Sequence, residues 1–288
     1  MMIFGAGFSG MAIARALSGD CDFAGGTTRS PERFPALQGA GLSPFIYEGG
    51  LPSDDLAAAL REITHLVMSI APDSGGDPLL EAFAGGLRQS MPKLEWIGYL
   101  STVGVYGDHD GDWVDEDTAC KPVSRRSVAR LAAEDGWIRL AAEAGVPVAT
   151  IRLSGIYGPG RNALKTAHEG KARRLIKPGQ VFNRIHVADI GGATALLARQ
   201  RLGGIYNVTD DMPAPPQDVV SEAARIMGLE PPAEIDFETA DLSPMARSFY
   251  GENKRVSNAR IKAAGYGFLY PDYFTGLAAL YRDGTWKG

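Results

Sequence analysis

Short runs of apolar, strand-favouring residues alternate along the first half of the chain with stretches whose apolar positions recur at helical spacing. The strand-like runs are 1–4, 21–24, 45–47, 64–71, 95–100 and 146–153, and helical spacing covers 11–17, 78–87 and 127–144. Gly85 and Gly86 are a stop signal inside the second of these helices. Strands separated by helix-length segments pair in parallel through crossovers, so the pattern predicts an α/β protein on a doubly wound parallel sheet. Beyond Tyr157 the regularity fades and Pro and Gly become frequent, as in Lys177-Pro178-Gly179 and residues 213–216, which marks a smaller C-terminal lobe. Residues 183–198 read as one further strand and helix returning to the sheet. The expected division is a sheet domain at 1–155, rejoined by 183–204, and a lobe made of 156–182 and 205–288.

Composition narrows the partners. The chain has 288 residues, 45% hydrophobic and 22% charged, and a formal net charge of -5, with a pI near 5.5. That balance gives no general attraction for nucleic acid or acidic membranes. No run reaches the apolar length of a membrane span, and the first residues lack the pattern of a signal peptide. A cytoplasmic protein without nucleic-acid or membrane partners is the expectation, with oligomerisation left open. Cys21 and Cys120, the two cysteines, fit neither a metal spacing nor a disulfide framework and read as buried or incidental thiols. The loop Asp108-His109-Asp110-Gly111-Asp112 offers alternating carboxylates. Trp113 and Ala119 stand where a calcium loop needs Gly and a bidentate Glu, so no metal site is expected. Nucleophile-elbow, zinc-helix and Walker motifs are absent from the sequence.

The sharpest chemical signal sits between the first strand and the first helix. Gly5, Gly7 and Gly10 form G-x-G-x-x-G, which suits a tight turn, a close approach of backbone to a pyrophosphate, and close helix–strand packing respectively. Phe8 and Ser9 would present their N–H groups to the anion at the helix N-terminus. A dinucleotide site of this kind ordinarily carries an acid about 20 residues on, for the ribose hydroxyls of NAD. Here the second strand runs into Thr28, Arg29 and Ser30, a guanidinium and two hydroxyls suited to a 2′-phosphate. NADP is therefore the expected cofactor. Glu32 and Arg33 follow closely, so a solvated Arg29, with NAD bound instead, is the alternative.

Four stretches in this order resemble the extended short-chain dehydrogenase/reductases, the NAD-dependent epimerase/dehydratase group. They are residues 5–10; the Leu-Ser-Thr-Val-Gly-Val-Tyr-Gly run at 100–107; the Ile-Arg-Leu-Ser-Gly-Ile-Tyr-Gly-Pro-Gly-Arg run at 151–161; and Arg-Ile-His-Val-Ala-Asp at 184–189. The resemblance implies a Rossmann domain holding the dinucleotide and a small C-terminal lobe for substrate, often a nucleotide sugar. It places Thr102, four residues before Tyr106, at the family's catalytic hydroxyl, with Ser101 as the fallback. It also implies a Tyr-x-x-x-Lys helix, and alignment on Ala132-Ala133-Glu134 puts Arg126 at the tyrosine and Arg130 at the lysine. No tyrosine lies between Tyr106 and Tyr157.

That departure is chemical, because a tyrosine beside a lysine exchanges a proton near neutral pH and an arginine, always protonated, does not. The pattern resembles the atypical branch of the family, which keeps the glycine turn and the upstream hydroxyl. Arg126 and Arg130, four apart on one helical face, either meet cofactor, substrate or a developing oxyanion, or begin a solvated basic helix. Substrate contacts are expected at Tyr157 and at Arg184, which stands two positions beyond Phe182, where related enzymes carry a diphosphate-binding arginine; Arg184 could equally pair with Asp189. His186 reads as a satisfied structural histidine and Asp189 as the N-cap of a helix from Ile190. Arg161, Lys171, Arg173, Arg174 and Lys177 make the start of the lobe basic, which suits an anionic substrate or reflects solvated loops. Two functions follow: an oxidoreductase or epimerase-like enzyme for a small anionic, sugar-derived substrate, or a non-catalytic dinucleotide-binding module serving as redox sensor or scaffold.

Overall fold

Period-2 alternation of buried residues explains why the first strands form a sheet covered on both sides. In the computed structural model, which describes residues 1–73 and 75–288 apart from the side chains of 244–246, Met2 and Phe4 pack into one apolar cluster and Ile3 into another. Leu66 and Met68 join the first and Val67 the second. Such near-continuous apolar strands belong to parallel sheets with helices on both faces.

Seven parallel strands build that sheet: β1 (Met2–Phe4), β2 (Gly25–Thr28), β3 (Ser43–Ile46), β4 (His65–Met68), β5 (Trp96–Thr102), β7 (Val148–Leu153) and β11 (Gly204–Val208), in the order β11-β7-β5-β4-β1-β2-β3. The remaining strands pair two by two. They are β6 (Trp113–Val114) with β13 (Arg255–Val256), β8 (Gly155–Tyr157) with β10 (Arg184–His186), and β9 (Arg174–Ile176) with β12 (Glu234–Asp236). The helices on the sheet are α1 (Phe8–Ala16), α2 (Phe34–Gly39), α3 (Asp54–Leu60), α4 (Pro78–Ala82), α5 (Leu87–Ser90), α6 (Arg125–Ala144) and, further along, α8 (Val187–Arg199). The lobe carries α7 (Ala163–His168), α9 (Pro216–Met227), α10 (Pro244–Phe249) and α12 (Tyr273–Arg282), whereas α11 (Ala259–Ala263) packs against β11, its Ile261 joining the core of the central sheet. Leu164, Val219, Ala223, Leu277 and Leu280 pack α7, α9 and α12 into a core of their own. Among the described residues, no helix is long and apolar enough to cross a membrane.

The expected doubly wound α/β architecture is present, and three details differ from expectation. β2 begins at Gly25, after the 21–24 run. A Cβ on Gly25 would lie 2.6 Å from Met2 Cε and one on Gly26 2.7 Å from Leu42 Cδ1, so neighbouring side chains fill a strand that lacks its own. β11, assigned to the lobe by the 204/205 boundary, is the edge strand of the central sheet, paired in register with β7. Conversely, the strand expected to return to the sheet, β10, pairs with β8, and only α8 returns, packing on α1. There a Cβ on Gly191 would lie 2.6 Å from Ala12 O, so the two helices approach backbone to backbone.

The long helix α6 is fixed in place by what it buries. Ser124 caps its start and Gly145, at φ 63°, its end, while Ala133, Trp137 and Ala141 face the sheet. Trp137 Nε1 donates to Asp77 Oδ2 at 3.1 Å. One turn earlier Glu134 accepts both arms of Arg152 on β7, at 3.2 and 2.7 Å, and a 2.5 Å bond from Ser101 Oγ on β5. Both ionic side chains are at most 3% exposed. Removing one member of such a pair strands a buried charge, so Glu134→Gln should lower unfolding free energy by about 3–5 kcal/mol. Urea denaturation checks it, and a loss below about 1 kcal/mol would mean the pair does not anchor the helix.

Candidate functional site

The carboxyl ends of β1, β2, β4 and β5 meet at the point where strand order reverses between β1 and β4. This is where open α/β sheets form their ligand crevice. Gly5 leaves β1 at φ 78°, and a Cβ there would lie 2.9 Å from Ile70 Cγ1 just beyond β4. Its N–H donates to Thr27 Oγ1 and that of Ala6 to Thr27 O, both at 2.9 Å, so buried Thr27 of β2 sets the turn. Gly10 packs tightly, its missing Cβ 3.2 Å from Gly5 O and Ile3 Cγ2. Gly7 differs, since a Cβ there would meet nothing nearer than Gly5 O at 3.9 Å.

No side chain caps the first turn of α1, so the N–H groups of Phe8 and Ser9 face the open space beside Gly7, and the helix dipole makes that space attractive to an anion. Phe8 is half-buried, with Cζ 3.2 Å from where a Cβ on Gly158 would stand. At the end of β2, Thr28 Oγ1 accepts from Ser30 N at 3.3 Å, Ser30 Oγ donates to Glu32, and Arg29 is exposed.

The four expected catalytic side chains separate. Thr102 ends β5 half-buried; its Oγ1 accepts from Gly104 N at 3.1 Å and so caps the short helical turn Val103–Tyr106, leaving the hydroxyl proton to donate. Ser101 faces the other way, buried, and donates to Glu134; strand alternation sends the two hydroxyls to opposite faces, which removes Ser101 as a catalytic fallback. Arg126 is exposed, and its guanidinium has no hydrogen bond or ion pair among the described residues. Arg130 is turned inward. Its Nη1 donates to Leu100 O at 2.7 Å, Tyr99 OH at 3.2 Å and Ile70 O at 3.3 Å, with Cζ 5.6 Å from the Tyr99 ring centroid. Arg130 thus ties the end of β5 to the segment just beyond β4.

The expected substrate contacts also part. Tyr157 is buried, its hydroxyl donating to Asp272 O at 3.4 Å and pressed against Gly276 of α12, where a Cβ would be 2.0 Å away. Its ring packs into the core of the lobe. Arg184 sits half-buried at the junction of lobe and sheet. Its Nη1 donates to Phe182 O and Ala214 O at 2.9 and 3.1 Å, and its Cζ lies 5.9 Å from the Tyr273 ring centroid. It does not pair with Asp189, whose carboxylate accepts from Tyr266 OH, Leu269 N and Tyr270 N. The N-cap of α8 is His186, through Nδ1 and Ala188 N at 3.2 Å. His186 is satisfied on one side alone: its Nε2 is buried without a partner, and burial pushes the imidazole down to about 4. Four of the basic residues early in the lobe have partners: Lys171 with Glu169, Arg174 with Glu234, Arg173 with Asp241 O, and Lys177 with Tyr250 O. Of the thiols, Cys21 is exposed and Cys120 half-buried.

A model of the NAD-dependent epimerase/dehydratase family matches residues 79–209. The protein YeeZ of Escherichia coli K12 is 30% identical over 94% of this chain and 96% of its own length. The chain belongs to the NAD-dependent epimerase/dehydratase family. Among solved structures, a conserved protein of unknown function from Silicibacter pomeroyi DSS is 45% identical, covering 98% of both chains at a TM-score of 0.90. A Methylobacillus flagellatus protein assigned to the NAD-dependent epimerase/dehydratases is 29% identical, covering 98% of this chain and 97% of its own at 0.74. The epimerase/dehydratase match begins at α4 and ends at Thr209, so it takes in Thr102, Arg126, Arg130, Tyr157 and Arg184.

Asp210, next to the end of that span, is a site residue that sequence reading passes over. It follows β11 and is buried at 1% exposure; Oδ1 accepts from Met212 N at 3.1 Å and Oδ2 is enclosed without a partner among the described residues. Burial pushes its carboxyl up to about 8, against the opposing pull of the backbone bond and of Arg184. Nothing local in Asn-Val-Thr-Asp-Asp signals this; the enclosure comes from β10 and α12, far away in sequence. The folded state therefore holds a proton that the unfolded chain releases near 3.8, so this group's contribution to stability is present below about pH 4 and is lost as pH rises through 8. Asp210→Asn removes the titration. Its unfolding free energy, relative to wild type, should rise by roughly 4 kcal/mol between pH 5 and pH 9, read by denaturant titration at both pH values; a flat difference would mean Asp210 ionises freely.

Proposed function

We propose that this chain is an NADP-dependent oxidoreductase of the epimerase/dehydratase type acting on a small anionic substrate, with NAD bound more weakly, in a cytoplasmic setting. The observation that carries the reading is the first turn of α1, where uncapped N–H groups and the clear space beside Gly7 leave a cradle that a Cβ would fill. A pyrophosphate suits that cradle, and the exposed Arg29 with Thr28 and Ser30 suits an adenosine 2′-phosphate. When bound, the nicotinamide supplies hydride exchange with a carbon–oxygen centre. Thr102 is the hydroxyl placed to donate a hydrogen bond to the reacting oxygen. Arg130 holds the strand ends that carry it, and its permanent charge favours a developing oxyanion without moving a proton. Arg184 offers a cation for the anionic end of the substrate.

A second reading is favoured by one fact: Arg130 is committed to three oxygens, while Arg126 is exposed and shares none of them. Neither position supplies a proton carrier. A dinucleotide-binding module without turnover would keep the cradle and lose the chemistry.

Cofactor titration tests the first half of the reading. NADPH should bind about 5- to 150-fold more tightly than NADH, the range of about 1–3 kcal/mol for charge-assisted bonds to a phosphate, and Arg29→Ala should erase the difference. Gly7→Val should abolish binding of both while leaving the circular dichroism spectrum unchanged, because a Cβ there meets nothing nearer than Gly5 O at 3.9 Å. Equal affinities in wild type would remove the NADP assignment, and a folded Gly7→Val protein that still binds would remove the cradle.

The second half is tested by turnover. In a screen of carbonyl compounds, nucleotide sugars and sugar acids, Thr102→Val should reduce NADPH-dependent kcat by about 100-fold, with cofactor affinity little changed. Cofactor binding with no oxidation of NADPH across the screen would select the non-catalytic module.

A further inference from the structure

Arg184 and Asp210 are stitched together by backbone, Asp210 N donating to Arg184 O at 2.7 Å and Thr209 Oγ1 to the same carbonyl at 3.1 Å. The Arg184 guanidinium is held rigidly through Nη1, whose two carbonyl acceptors belong to Phe182 and Ala214, themselves paired backbone to backbone. Its Nε and Nη2 have no hydrogen-bond partner among the described residues, and neither is among their enclosed, unpartnered polar atoms. That leaves the two-donor edge of the fork without a hydrogen-bond partner in a largely desolvated setting, and it is the edge that matches two oxygens of a carboxylate or phosphate. The carboxyl of Asp210 is charge-coupled to this guanidinium, yet the two make no ion pair, and its Oδ2 stays enclosed and unpartnered.

We propose that Arg184 is a binding site for one oxyanion of the substrate, a carboxylate or a phosphate, and that Asp210 gates it, admitting the anion as a neutral carboxyl and rejecting it as a carboxylate. This rests on the reading of the substrate as anionic. The gate works by charge: an ionised Asp210 cancels the field of Arg184 and repels the incoming anion, while a neutral one leaves the cation unopposed. Other groups face the pair from every side. Asp211 is bound by Lys262 and Asn258, and Asp272 caps α12 at Thr275 N. Tyr157 gives its hydroxyl to Asp272 O, and Asp218 of α9 and Tyr273 of α12 act on Arg184. Tyr250 lies within its field. Of the carboxylates, Asp211 and Asp218 are exposed and Asp272 half-exposed, whereas Asp210 is enclosed with an oxygen unpartnered, so its proton is the one that the anion's arrival controls. Binding takes away the guanidinium's stabilisation of the Asp210 carboxylate and so draws a proton in, and affinity falls as pH rises through about 8.

Nuclear magnetic resonance of the full-length labelled protein tests this without turnover. Sulfate, whose charge is constant over the range, stands for a phosphate ester, and glucuronate for a carboxylate. The Met212 amide, bonded to Asp210 Oδ1, reports the carboxyl; the Arg184 Cζ resonance reports the anion. The expected result is a shift at Arg184 Cζ, with at least tenfold weaker binding at pH 9 than at pH 6.5, and an upward move of the Met212-detected titration when anion is present. Asp210→Asn should bind equally at both pH values. Arg184→Gln should abolish binding, and Arg184→Lys, which keeps the charge and loses the fork, should weaken it about tenfold. A response to one probe alone assigns the class, carboxylate or phosphate. No shift with either probe, or the same pH dependence in Asp210→Asn, overturns the proposal. NADPH binding on the same samples separates the two readings, because its loss overturns the cofactor assignment and leaves the anion site standing.

Discussion

The buried pair of Glu134 and Arg152 is the constraint on which the rest of the site depends. A doubly wound sheet leaves its crosswise order to the packing of helices, and apolar packing is tolerant of small slides. A bidentate ion pair enclosed at the helix–sheet interface is not tolerant, since any displacement exposes charge to an apolar surrounding. By pinning α6 to β7, with Ser101 of β5 as the third partner, it sets where Arg130 enters one turn earlier. It also sets where Thr102 emerges, because Thr102 is the next residue along the strand. The cation–π contact of Arg152 with Tyr106, 4.9 Å from the ring centroid, and the Tyr106 bond to Asn207 carry the same constraint on to β11.

What could be read from the sequence was local. The glycine turn is legible because each glycine answers a backbone demand within a few residues of it; the structure meets that demand at Gly5 and Gly10 and leaves clear space at Gly7. The alternation of strand and helix is legible for the same reason. The second strand was displaced in the reading because Gly25 and Gly26 carry no strand-favouring side chains; their place is filled by Met2 of β1 and by Leu42, just before β3. The lobe boundary failed at β11 because a short edge strand resembles any other short apolar run until its partner is known.

Side-chain roles were less legible than backbone ones. Ser101 and Thr102 are equivalent by composition and differ in which face of the strand they occupy. Tyr157 sits in a motif that reads as a binding loop, yet its ring is drawn into the slot left by Gly276, over a hundred residues away. Asp210 shows the converse: an ordinary aspartate in a polar stretch acquires its chemistry from β10 and from the start of α12. Burial is a property of the assembled fold, and titration follows burial.

Arg130 has a consequence for the changes open to this chain. Its guanidinium serves two acceptors on β5 and one just beyond β4, so the residue is a strut between strand ends. A lysine there puts a more strongly hydrated ammonium on a flexible stem and gives up the guanidinium's contact with the Tyr99 ring. Variation at this crevice is therefore limited to changes that leave the strut standing, because losing it loosens the strand ends that carry Thr102 before any compensating side chain is present.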